Sequence, residues 1–170
     1  METFEAIRTV LAVRSYTDQP IPEATVNRIV EAAHLTASSS NKQPWHFVVV
    51  QDRDTLRQLG EALPRHGPYI AGAPLAIAVV IDRTPPAVSD ASRAIQSMLL
   101  AAWSEGVGGN WVGFTGLIDA ARPILGIPDD LDLLAIVPFG YPTDPGGKGQ
   151  KSRKPLAEIA HRERWGQPFS

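Results

Sequence analysis

Three short stretches carry residue types that can bind a charged, ring-bearing ligand. Arg14 is followed by Ser15, a permanent cation beside a hydroxyl; the plain alternative is a surface arginine. Residues 38–45 read Ser-Ser-Ser-Asn-Lys-Gln-Pro-Trp, a run of hydroxyls and amides that leads into an apolar segment. Such groups can hydrogen-bond the edge of a heteroaromatic ring, and by composition they equally suit a flexible polar loop. Lys151-Ser152-Arg153 places two cations around a hydroxyl after a glycine-rich stretch. That set suits one phosphate group, and a solvated charged loop is its plain alternative.

Other patterns fail on spacing. Gly106-Val107-Gly108 begins a dinucleotide fingerprint, but its third glycine would fall at Trp111, and the segment follows a predicted helix instead of a strand. Gly147-Lys148 is followed by Gly149, where a nucleotide P-loop needs Ser or Thr. His34, His46, His66 and His161 show no metal-ligand spacing. Ser38-Ser39-Ser40 lacks the elbow glycines of a serine hydrolase. No side chain is assigned as a catalytic acid, base or nucleophile.

The elements that must position these stretches follow from apolar spacing. A helix over 3–12 is predicted, capped by Thr3, with Phe4, Ile7, Val10 and Leu11 on one face. An extended link leads to a second helix opened by Pro22-Glu23 and striped by Val26, Ile29, Val30 and Ala33. Phe47–Gln51 reads as a buried strand. Asp54 can cap a helix carrying Leu56, Leu59 and Leu63, and residues 64–74 read as a loop. Leu75–Asp82 predicts a central strand. Ser89 or Asp90 caps the longest helix, which runs to about Glu105 and is ended by Gly106–Gly109. Asn110–Phe114 reads as a short strand, 120–125 as a brief helix weakened by Pro123, and Leu131–Phe139 as another strand. One helical turn is predicted over 155–160. These elements do not alternate regularly, which predicts an α+β class.

The counts agree with that reading. A chain of 170 residues, 44% hydrophobic, suits one domain over 1–170. A net charge of -2 excludes a broadly basic surface for nucleic acid. The absence of cysteine excludes disulfides, thiolate metal centres and a cysteine nucleophile. Fourteen glycines and 15 prolines predict a loop-rich globule. The N-terminal residues do not read as a signal peptide, and the longest apolar run, Leu75–Ile81, falls far short of the ~20 residues a membrane span needs. A cytoplasmic protein away from membranes is expected. Trp165 and Phe169 lie on a tail, about 155–170, too short to have its own core, which predicts packing on a partner subunit.

Taken in order, these strings resemble the nitroreductase family of FMN-dependent NAD(P)H oxidoreductases. They are RSYTDQPIP at 14–22, SSSNKQPWHFVVV at 38–50, DASRAIQSMLLAAWSEGVGGNWVG at 90–113, LGIPDDLDLLAIVPFGYP at 125–142 and KSRKPLAEIAHRERWG at 151–166. The resemblance implies an α+β sandwich with a mostly antiparallel central sheet. It also implies an intertwined homodimer with exchanged C-terminal arms and two FMN sites at the interface. By position, Arg14 corresponds to the basic residue at the flavin phosphate or pyrimidine edge, with Ser15 beside it. Ser38, Ser39 and Asn41 correspond to the loop on the isoalloxazine ring, shaped by Gln43 and Pro44. Lys151 and Arg153 correspond to the phosphate cations, and Gly113 to the loop near the reactive edge. Trp111, Phe114 or Trp45 would wall the substrate side.

The chain departs from the family at one place. Where many members have Arg-Arg-Ser or Arg-His-Ser, this chain has Val10, Leu11 and Ala12, with Arg8 nearby as a substitute cation. A second alignment makes Arg14-Ser15 that pair. The implied activity is ping-pong transfer from NADH or NADPH, through FMN, to quinones, nitro compounds or similar small oxidants. The alternatives are a flavin-storage protein with little turnover, or a specialised flavin or deazaflavin reductase. The few residues between Asp82 and Ser89 imply little lid and an open site.

Overall fold

The computed structural model describes residues 1–144 and 151–169. Its centre is an antiparallel sheet of four strands, ordered β1 (Trp45–Val50), β2 (Leu75–Asp82), β4 (Leu131–Gly140) and β3 (Gly108–Gly109). β2 is apolar at every position before Asp82, so neither of its faces can be left in water, and it pairs on both sides. Leu75, Ile77, Val79 and Ile81 face a core shared with Val26 and Ile29 of α2 (Glu23–His34) and Ile95 and Met98 of α5 (Ala87–Ser104). Ala76, Ala78 and Val80 face a second core with Leu56 and Leu59 of α3 (Arg53–Ala62) and Ile70 of α4 (Gly67–Ala71). The sheet is therefore sandwiched between helices. A bulge at Val79/Val80 gives β4 one extra residue and resets its alternation.

Several boundaries and caps differ from the sequence reading. α1 spans Thr3–Thr9, and the Glu2 carboxylate, not Thr3, caps it by accepting from the amides of Phe4 and Glu5. Ala6 and Thr9 are its buried residues, while Phe4 and Ile7 are exposed. The short side chains let the helix pack closely near α5, where the Trp103 indole donates to Thr9 Oγ1 at 2.9 Å. Asp52, not Asp54, caps α3 by accepting from the Thr55 amide at 2.8 Å. The loop expected over 64–74 contains α4, and 110–114 makes only the single bridge Val112–Ile136. α5 starts at Ala87, so Asp90 lies inside it and is fully buried. α6 (Arg122–Leu125) holds Pro123 in its first turn, where proline is tolerated. α7 (Leu156–Ile159) leads to a hook in which Arg162 and Gln167 bond through their backbones.

Candidate functional site

The geometry begins with residues 12–17, which lie along the outer edge of β3. Ala12 pairs with Gly109, and the Val13 amide donates to the Gly109 carbonyl at 3.0 Å. That approach requires glycine at 108, because a side chain there would overlap Val13. The segment is then pinned. The buried Tyr16 hydroxyl donates to the Val13 carbonyl at 2.6 Å, and burial pushes its phenol well above the ordinary value, with Arg14 pulling weakly the other way. The Thr17 amide donates to Tyr141, the Thr143 amide donates to Ser15, and the Thr143 hydroxyl donates to Ser15 Oγ. Arg14 thus projects from a backbone fixed on both sides.

Arg14, Lys151 and Arg153 meet at one cavity of about 690 Å³. Its apolar wall is formed by Ile7, Val10, Leu11, Leu99 and Trp111; Gln96 and Asn110 contribute neutral amides. The Lys151 ammonium donates to the Ile7 carbonyl at the end of α1. Burial, reinforced by the neighbouring Arg153, holds its pKa below the ordinary lysine value. Three cations converging on an apolar recess favour an anion carried by a flat or apolar body. A second cavity of about 390 Å³ shares Leu11, Ala12 and Arg14 and adds Ser15 and Trp103.

Arg8 lines neither cavity. It is spent on Glu5, to which Nε and Nη2 donate at 2.9 and 2.8 Å. The aliphatic residues Val10 and Leu11 stand on the cavity wall themselves, and no substitute cation reaches it from α1.

Gly113 and Phe114 line neither cavity, but both contact Trp111, which does. The Trp111 indole donates to the Gly113 carbonyl at 2.5 Å, and the Trp111 and Phe114 ring centroids are 5.3 Å apart. Gly113 has φ +88, and a side chain on it would overlap Ile118. Trp45 is 7% exposed and packed in the core, so it walls no open site in this chain.

Ser38, Ser39 and Asn41 line neither cavity. Their loop is nonetheless tightly built. Ser40, Asn41 and Gln43 all take left-handed φ values, 52, 54 and 50, which non-glycine residues rarely adopt. The loop is held by Asp90, whose carboxylate accepts from the Ser39 amide at 3.0 Å and the Ser39 hydroxyl at 3.2 Å. Arg93 pairs with the same carboxylate, and the Gln43 amide donates to Ser38 Oγ at 2.9 Å. By its position in the sequence Asp90 is a candidate helix cap; nothing local shows that its partner lies 51 residues earlier.

Burial pushes the Asp90 carboxyl up, but the bonds from Ser39 and Arg93 outweigh it and hold it below the ordinary 3.8. A carboxyl so depressed contributes stability that is complete above its unfolded value and lost as pH falls through the folded one. Thermal melts are therefore expected to weaken below about pH 4 in the wild type. Asp90→Asn should melt earlier at pH 7 and show a flatter acid limb; an unchanged acid limb would remove Asp90 from that role.

Comparison with known proteins decides the family. The model of the nitroreductase family matches residues 8–80 and 66–141. The chain belongs to the nitroreductase family. It is 35% identical over 155 residues to a Methanothermobacter thermautotrophicus protein provisionally named NADH dehydrogenase/NAD(P)H nitroreductase, covering 86% of this chain and 81% of that one. A Bacillus subtilis FMN reductase [NAD(P)H] is 26% identical over 192 residues, covering 95% of this chain and 74% of its own. Among solved structures, a Parabacteroides distasonis protein with the same provisional name as the first superposes with a TM-score of 0.86 at 30% identity, covering 96% and 98% of the two chains. The α+β sandwich expected of a nitroreductase-family chain is the fold described above.

The run 145–149 and the Gly147-Lys148 pair lie outside the described residues. Among the described residues, no cluster of three metal-binding side chains occurs, and no helix is long and apolar enough to cross a membrane.

Proposed function

We propose that this nitroreductase-family chain is a flavin-dependent NAD(P)H oxidoreductase that uses FMN and passes electrons to nitro compounds, quinones or similar small oxidants. The observation that carries the reading is the convergence of Arg14, Lys151 and Arg153 on one apolar cavity beside Trp111. The donor set fits FMN: cations for its phosphate and for an electron-rich ring edge, and an apolar wall for the ring. Bound FMN supplies the electron-transfer chemistry between the two substrates.

The chain's own residues bind, orient and exclude water. Lys151 and Arg153 hold the phosphate, and Arg14 places positive charge against the ring. Trp111, Leu99 and Leu11 keep one side dry, with Phe114 beside Trp111 on the substrate side. The proposed order is ping-pong, NAD(P)H leaving before the oxidant takes the same place.

The complete site belongs to a homodimer in this reading. Ser38, Ser39 and Asn41 are built as a rigid loop yet do not meet the cations of their own chain, which supports a second copy supplying them. Exposed Phe4, Trp165 and Phe169 supply apolar surface for such packing, the tail from about 155 serving as the exchanged arm.

The test is the visible spectrum of the purified protein, extraction of its flavin, and turnover of menadione or nitrofurazone with NADH and NADPH. A yellow, active protein is expected. A yellow protein without turnover indicates storage, and a colourless one that FMN cannot reconstitute overturns the reading.

A further inference from the structure

Asn110 stands apart from every residue singled out by the sequence. It is 6% exposed, it borders the cation-lined cavity, and its neighbours Gly109 and Trp111 line the same cavity. Its backbone is satisfied, the amide donating to the Pro138 carbonyl at 3.2 Å. Its carboxamide makes no hydrogen bond to any described residue, and neither of its polar atoms is sealed from space as His161 Nε2 is. A buried side-chain amide nearly always has a protein partner; this one has none among the described residues and keeps its polar atoms open beside the cavity, where a ligand can meet them. An apolar side chain of similar size removes no hydrogen bond of the fold.

From this geometry we infer that Asn110 is a flavin-binding residue whose carboxamide hydrogen-bonds the ring of the bound cofactor. The inference rests on the flavin reading above. The division of labour in the cavity supports the ring as partner. Lys151 and Arg153 are paired cations suited to phosphate, whereas a neutral amide offers both a donor and an acceptor, as a heteroaromatic edge requires. Gln96 of α5 is the other neutral amide on the cavity, but it is an exposed residue, whereas Asn110 is buried.

The test compares wild type with Asn110→Leu. FMN affinity of the apoprotein is measured by fluorescence quenching, apoprotein stability by thermal melting, and assembly by light scattering. Two effects of opposite sign are expected: FMN Kd rises about tenfold or more, while the apoprotein melts at the same temperature or higher. The absorption bands of bound FMN should also shift, because a ring hydrogen bond is lost. FMN affinity and spectrum equal to wild type would overturn the inference. So would altered assembly with unchanged FMN affinity, which would assign the amide to a subunit contact. An apoprotein destabilised by the substitution would show a structural role and overturn it as well. A wild-type protein that binds no FMN fails the flavin reading itself, a result distinguishable from all of these.

Discussion

Replacing Lys151 and Arg153 together by alanine is expected to raise the FMN Kd by about 100- to 10,000-fold. Each charge-assisted hydrogen bond to a phosphate contributes roughly 1.5–3 kcal/mol, and two of them sum to that range if they act independently. Titration of the apoprotein with FMN measures it directly. The same pair sets a pH dependence. Lys151 has a folded pKa below the ordinary 10.5 because of burial and then Arg153. FMN affinity should thus weaken as pH rises through that lowered value, where the ammonium is lost. The apoprotein behaves oppositely. Its unfolded chain holds the proton longer, so stability rises with pH between the lowered value and 10.5. Lys151→Ala should flatten both curves. Arg8→Ala is the control, since that guanidinium is engaged by Glu5 outside the cavity. A double variant that binds FMN within threefold of wild type would remove the cation pair from the site.

Gly113→Ala is expected to lower the melting temperature by roughly 4–20 °C. Two costs add at this position. A left-handed backbone disfavours any Cβ by roughly 1–2 kcal/mol, and the overlap with Ile118 adds about 1–3 kcal/mol of overpacking. For a chain of this length each kcal/mol moves the midpoint by about 2–4 °C. The effect should reach the site, because the Gly113 carbonyl receives the Trp111 indole. Ile118→Ala in the same chain relieves the overlap but not the backbone strain, so it should restore only part of the loss. Full restoration would mean that the φ of Gly113 carries no cost, and no loss at all would contradict the geometry.

The parts of this fold legible in the sequence are those whose reason is local. β2 is readable to the residue because a short apolar run rich in Val and Ile suits a strand covered on both faces. α2 was readable because proline and glutamate open it and its stripe is buried. α1 misled, since its large apolar residues face outward and alanine and threonine make the buried contact. The 110–114 strand shrinks to one bridge, Val112–Ile136, on the edge of β4 opposite β2, and the left-handed backbone at Gly113 turns the chain off that edge. At the site, Arg14 and Lys151-Ser152-Arg153 stood out by type, and family resemblance linked them. Their meeting depends on the Tyr16 pin and the bare backbone at Gly108. Asp90 and Asn110 gave no signal, because burial and the identity of a distant partner are properties of the folded chain.

The order of strands in the sheet has a bearing on how the protein is made. β2 needs partners on both edges, and the one on its far side, β4, is nearly 50 residues downstream. At a synthesis rate of roughly 5–20 residues per second, β2 waits about 2–10 s for that partner. During this interval a seven-residue run of Leu, Ala, Ile and Val, able to add to any free strand edge, belongs to a chain that cannot close its sheet. Until β4 is released the newborn chain therefore carries an apolar, β-prone segment without one of its partners, the kind of segment that aggregates most readily.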